Sequence, residues 1–140
     1  MARPREFEIG AAVDRAMDVF WSKGYEASSL HDLLAAMAIA RGSLYKAFPD
    51  KRAVYLAALE RYDGTVVAGA VALLADESLG DGPARLRRLL EGAIAEARDT
   101  RPRRGCFLCN AAIDQAPHDP VVRDRVMAMM RRLEAAIGAA

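Results

Sequence analysis

Apolar residues Ile9, Val13, Ala16, Met17 and Phe20 recur at helical spacing with Asp14, Arg15, Asp18 and Lys23 between them, which predicts a first amphipathic helix stopped by Gly24. Ser28 and Ser29 offer hydroxyls to cap a second, short helix carrying Leu30, Leu33, Leu34 and Met37, with Asp32 in its first turn. Arg41 to Phe48 has room for about two turns with Leu44 and Phe48 facing inward, and Pro49-Asp50 ends it. From Lys51 a long helix is marked by Val54, Ala58, Leu59, Tyr62, Val66, Ala70, Leu73 and Leu74, ending at Gly80-Asp81-Gly82. A fifth helix follows Pro83 with a stripe of Leu86, Leu89, Leu90, Ala93, Ile94 and Ala97. Arg101-Pro102-Arg103-Arg104-Gly105 reads as a linker, and a sixth helix with Cys106, Cys109, Asn110 and Ile113 on one face stops at Pro117. Asp119-Pro120 starts a seventh helix carrying Val122, Val126, Met129, Met130, Leu133 and Ile137. No strand pattern or internal repeat appears, so the expectation is all-α, with about seven helices: a three-helix head over residues 1–50 and a helical layer over 51–140.

Composition supports a folded chain. Hydrophobic residues make up 53% and charged residues 28% of the 140, with 10 Gly and 6 Pro. A net charge of +1 makes global charge uninformative, so any nucleic-acid footprint must be local. One such place is Arg41, Lys46, Lys51 and Arg52 against Asp50 alone, although on charge alone this reads as an ordinary solvated helix end. Two cysteines do not make a secreted disulfide framework, and Glu6, Glu8 and Asp14 interrupt any leader after Arg3 and Arg5. The longest apolar stretch, Val66 to Ala75, is too short to span a bilayer, so a cytoplasmic protein without membrane contact or cofactor is expected.

The stretch from Ser28-Ser29-Leu30-His31-Asp32 through Ala40-Arg41-Gly42-Ser43-Leu44-Tyr45-Lys46-Ala47-Phe48-Pro49-Asp50-Lys51 resembles the helix-turn-helix of TetR-family regulators, and Phe20, Gly24 and Tyr25 match as well. The resemblance implies a regulator, commonly a repressor, whose dimer sets two recognition helices in successive major grooves of double-stranded operator DNA. The resemblance implies no catalytic role. A recognition helix needs polar side chains toward bases and phosphates and apolar anchors behind. Arg41, Gly42, Ser43, Tyr45 and Lys46 supply the first, with Ala40 at the helix start and Leu44 and Phe48 behind. Lys51, and Ser28 or Ser29, are candidates for phosphate contact. Arg5 could reach a groove from an N-terminal arm, or belong to a solubilising tail. Two departures stand out: Ala38 occupies the turn position where the family carries Gly, and Ala40 the cap where it carries Ser or Thr, a loss of about 1 kcal/mol.

Arg104-Gly105-Cys106-Phe107-Leu108-Cys109-Asn110 with Pro117-His118-Asp119-Pro120 is similar to one subgroup of that family, in which a cysteine at this place senses electrophiles, oxidants or metals. Cys106 matches it, and Cys109 stands where an aliphatic residue is common. As a sensor, Cys106 would be activated by Arg103, Arg104 and the helix N-terminus. The other reading makes both cysteines small core residues. Two sulfurs with His118 at a distance do not make a metal site. Tyr62, Phe107, Met127 and Met130 are candidate linings of an effector pocket, or plain core. A thiol enzyme would need a base beside Cys106, where only His118 and His31 are on offer. An all-α interaction module would tolerate loss of Arg41, Tyr45 and Lys46. The resemblance further implies two helices beyond Ile137-Gly138-Ala139-Ala140 that form the dimer interface, so the expectation is either a truncated sequence or a protein that dimerises differently.

Overall fold

The structure, a computed structural model, describes residues 3–99 and 103–140, with side chains from residue 9 onward. Regular structure among these residues is wholly helical: α1 (Arg3–Lys23), α2 (Leu30–Met37), α3 (Arg41–Ala47), α4 (Lys51–Tyr62), α5 (Ala68–Ala75), α6 (Gly82–Asp99), α7 (Phe107–Asp114) and α8 (Pro120–Ala139). A π-turn (Asp63–Val67) joins α4 to α5 without a break, so the long helix predicted from Lys51 is present with a widened turn inside it. That turn falls on Asp-Gly-Thr-Val-Val, five residues of low helix propensity, where the tighter helix has least to lose. A 3-10 turn (Glu77–Leu79) follows α5, started by Asp76, whose carboxylate accepts the Ser78 N–H at 3.0 Å. The chain forms two compact units, one up to Arg61 and the other Tyr62–Ala140.

In the first unit the core is built from Val13, Ala16 and Phe20 of α1, Leu33 and Met37 of α2, Leu44 of α3, and Val54, Tyr55, Ala58 and Leu59 of α4. Phe20 meets Tyr55 edge to face at 5.0 Å, and Tyr55 meets Tyr25 in the same way at 5.0 Å. Gly24 ends α1 at φ 81°, as the predicted stop requires. Ile9, expected in the inward stripe, is exposed, and Phe48 is half-buried. Arg15 Nη1 donates to the last carbonyl of α2, Met37 O, at 3.2 Å, and Arg61 clasps Asp14 through Nε at 2.6 Å and Nη2 at 2.9 Å. Arg5's side chain, and Arg101 and Pro102 of the expected linker, lie outside the described residues.

In the second unit α5 packs on α6 and α8, and α7 packs on α8. Val67, Leu74, Phe107, Leu108, Ala111, Val122, Val126 and Met129 form its core. Asp119 caps α8 by accepting the Val121 and Val122 N–H groups at 3.0 and 3.3 Å. The expected stripe of α6 is corrected. Leu86 and Leu89 are half-buried, but Leu90, Ala93, Ile94 and Ala97 are exposed, because α6 packs on α5 and the 3-10 turn through its first turns and then runs past them. Its buried residue is instead Arg85, 8% exposed, which donates from Nη1 to Leu74 O at 2.8 Å and from Nη2 to Ala140 O at 3.0 Å.

Candidate functional site

The segment from Ser28 to Lys51 is held by local hydrogen bonds at each helix end. Ser29 caps α2: its Oγ accepts the Asp32 N–H at 3.0 Å, while Asp32 Oδ2 accepts the Ser29 N–H at 3.0 Å, so each satisfies a donor the helix start leaves open. Lys23 Nζ lies 3.1 Å from Asp32 Oδ1. The Ser29 backbone N–H, then its hydroxyl, then Lys23 hold the Asp32 carboxyl at about 2, below its ordinary 3.8. A depressed folded value means this contribution is full above the unfolded pKa and is lost as pH falls through it. Head stability is therefore expected to decline between pH 3.8 and about 2, with an Asp32→Asn variant showing a flatter profile there in pH-dependent thermal melts.

Ser28 is withdrawn from the phosphate-contact candidates. It is fully buried, and its Oγ donates to Gly24 O at 2.6 Å, so it ties the end of α1 to the start of α2 and cannot turn outward. The turn itself is strained at one point: Ala38 closes α2 at φ 56°, ψ 41°, its N–H donating to Leu34 O at 3.1 Å. A Cβ costs energy in that left-handed region, so Ala38→Gly is expected to stabilise the head by roughly 0.5–1 kcal/mol in denaturant melts despite the entropy glycine loses. Ala40 begins α3 in extended geometry with no side-chain cap. Ala40→Ser is expected to add about 1 kcal/mol.

α3 has one buried side chain, Leu44, 1% exposed, with the half-buried Phe48 following it. Burying a leucine is worth about 2–3 kcal/mol, enough to seat two turns while every other side chain of the helix faces out. Arg41, Gly42, Ser43, Tyr45 and Lys46 are all exposed, Tyr45 by 49%, as is Ala40. A Cβ on Gly42 would meet nothing of this chain within 4 Å, so its small size is not demanded by internal packing. Lys51 opens α4 with its Nζ 4.4 Å from the centroid of the Tyr25 ring, which stacks on Phe20 at 6.0 Å. That ring is the positioning residue the sequence reading missed; only the Gly24-Tyr25 pair pointed to it. Asp50, the single acid in the patch, accepts the Ala53 N–H at 2.8 Å and so serves as the cap of α4.

The second candidate cluster lies at the start of α7. Gly105 takes φ 68°, Asn110 Nδ2 donates to Arg104 O at 2.8 Å, and Cys106 sits at the N-cap with no side-chain capping bond. Cys106 and Cys109 are both exposed thiols, which overturns their reading as core residues: the buried face of α7 is Phe107, Leu108 and Ala111, and the predicted face faces solvent, with Ile113 79% exposed. Tyr62 Oη lies 3.7 Å from Cys106 Sγ, and the Tyr62 ring meets Phe107 at 5.4 Å. Burial first, and then Cys106 beside it, push the Tyr62 phenol well above its ordinary value. Partial desolvation and the neighbouring Cys106 push the Cys109 thiol up. Of the other expected lining groups Met130 is half-buried, whereas Met127 is corrected to an exposed position because Val126 and Met129 take the inward face of α8. His31 and His118 are exposed. Among the described residues no three His, Cys, Asp or Glu side chains converge as a metal site would need, and no helix is long and apolar enough to cross a membrane.

Residues 12–58 match the family described as bacterial regulatory proteins, tetR family, and residues 82–140 match a tetracyclin repressor-like C-terminal domain. The chain is 36% identical over 120 residues to the uncharacterized HTH-type transcriptional regulator YezE of Bacillus subtilis, covering 86% of this chain and 61% of that protein. It is 33% identical to the HTH-type transcriptional repressor ComR of Escherichia coli, covering 82% and 54%. The chain thus spans little more than half the length of these relatives. A solved structure of a cysteine mutant of the TetR family regulator CifR, complexed with 26-bp double-strand operator DNA, superposes with a TM-score of 0.70 at 33% identity, covering 91% of this chain and 71% of that one.

Proposed function

This chain belongs to the TetR family of bacterial regulatory proteins, and from that membership we propose that it is a transcriptional regulator, a repressor that leaves its operator on meeting a small molecule or a thiol-reactive signal. The observation that carries the reading is α3, a helix anchored by Leu44 alone with Arg41, Gly42, Ser43, Tyr45 and Lys46 turned to solvent. Side chains in that array donate to phosphates and base edges, and a helix of this width enters a major groove. Lys51, steadied over Tyr25, adds a phosphate contact from the start of α4, and the exposed Ser29 hydroxyl another from α2. Ala40 and Gly42, lacking bulk, let the helix start approach the duplex closely.

In this reading residues 1–50 read DNA and 51–140 carry effector sensing and dimerisation, in the cytoplasm, with no catalytic role. Two heads of a homodimer engage half-sites about one helical turn apart, roughly 34–36 Å. Cys106, Cys109, Phe107 and Tyr62 form the sensing cluster, supported by the Tyr62 hydroxyl beside the Cys106 sulfur. Selection from a random duplex pool with the reduced protein is the test. Enrichment of a defined sequence, weakened by Tyr45→Ala, is expected, and recovery of bulk DNA without enrichment would refute the reading.

A further inference from the structure

Cys106 and Cys109 stand in a relation that a sensor built on one thiol does not need. They occupy the N-cap and third positions of α7, the same relation in which Ser29 and Asp32 bond each other at the start of α2. Helical geometry puts two Cα atoms at this spacing about 5 Å apart, within the span a disulfide bridges. Both cysteines are exposed, and the backbone before them is set by Gly105 at φ 68° and by the Asn110 amide on Arg104 O. The N-cap is the one position of a helix start that can turn its side chain without breaking the helix, because its φ and ψ are not helical.

We propose that Cys106 and Cys109 form a dithiol–disulfide switch that a hydroperoxide closes within one chain, and that Tyr62 registers the closure; this rests on the regulator reading above. The Cys106 thiolate sulfur attacks the terminal oxygen of the hydroperoxide, the O–O bond breaks, and the departing alkoxide takes a proton to leave as an alcohol. The sulfur is now a sulfenic acid, oxidised by two electrons. The Cys109 sulfur attacks it, the S–S bond forms, and the hydroxyl leaves as water with the Cys109 proton. Two thiols and one hydroperoxide thus yield one disulfide, one alcohol and one water. Closure takes the Cys106 sulfur into a bond with Cys109 and so changes its contact with the Tyr62 hydroxyl, now 3.7 Å from it. Tyr62 is buried and is the last residue of α4, directly before the π-turn, so a change in that contact falls at the weakest turn of the long helix that Lys51 opens.

The experiment treats the whole protein with a small excess of hydrogen peroxide and reads the tryptic peptide running from Gly105 to Arg123, which contains both cysteines. The expected product is that peptide lighter by two hydrogen atoms, in a monomeric chain, and restored by dithiothreitol. Cys109→Ser should instead halt at a dimedone-trapped sulfenic acid on Cys106. A chain-to-chain disulfide, sulfinic acid without a crosslink, or unreacted thiols would each overturn the switch. DNA binding is followed in parallel on selected duplex. Affinity is expected to fall about tenfold or more on closure and to return on reduction, whereas Tyr62→Phe should blunt that fall. An oxidised protein that binds as tightly as the reduced one overturns the regulatory role, while failure of the reduced protein to bind any duplex sinks the regulator reading and leaves the peptide result standing.

Discussion

Replacing Lys46 or Tyr45 with alanine is expected to lower operator affinity about tenfold each while leaving the melting temperature of the protein nearly unchanged. Both side chains are exposed, and the anchor of α3 is Leu44, so neither change disturbs the core. A charge-assisted contact to phosphate is lost in one case and a phenolic contact in the other, each worth about 1.4 kcal/mol for a tenfold change. The two differ in salt dependence. Lys46→Ala should reduce the slope of log affinity against log salt by about one, because one fewer counterion is released, whereas Tyr45→Ala should leave the slope alone. Leu44→Ala separates contact from scaffold: it should cost about 2–5 kcal/mol of head stability and DNA binding together. Unaltered affinity in both surface variants, in a titration at fixed salt, would remove α3 from the interface.

Arg85→Met is expected to destabilise the second unit by about 2–3 kcal/mol, lowering the melting temperature by roughly 5–15 °C. The guanidinium donates to Leu74 O in the last turn of α5 and to Ala140 O, so it satisfies two acceptors in buried or half-buried residues. Methionine preserves much of the aliphatic volume, and the loss therefore reports the two hydrogen bonds and the charge of the guanidinium. Arg88→Met, three residues on and exposed, is the control and should shift the melt little. Equal melts for the two variants would show that Arg85 contributes nothing beyond its stem.

The head was largely legible in the sequence. Its helices are short and amphipathic, its stops are Gly24 and Pro49-Asp50, and its capping serine sits three residues before Asp32, all of which act through neighbours close in the chain. Ser28 was the exception. Two adjacent serines are indistinguishable as caps until the chain folds, and only the position of Gly24 O shows that Ser28 turns inward while Ser29 takes the cap. Tyr25 under Lys51 was hidden for a related reason, since the two are brought together by the packing of Phe20, Tyr25 and Tyr55.

The second unit was less legible. Leu90, Ala93, Ile94 and Ala97 have the spacing of a buried stripe, but burial depends on a partner reaching that length of α6, and periodicity carries no information about where a partner stops. Arg85 shows the converse, a charged residue drawn inside because the carbonyls of Leu74 and Ala140 converge on it.

By itself the sequence determined which segments are helical and which short helix bears the polar residues of a groove reader, because capping, propensity and periodicity act over a few neighbouring residues; the long helix expected to reach Gly80 ends at Ala75, and the sixth expected helix spans only Phe107–Asp114. Tertiary structure alone decided which of two serines faces out, that both cysteines are exposed with Cys106 beside the Tyr62 hydroxyl, and that an arginine is buried. Those outcomes depend on contacts whose free energy exists only once the helices have packed, from Ser28 on Gly24 O four residues back to Tyr62 beside Cys106 forty-four residues on.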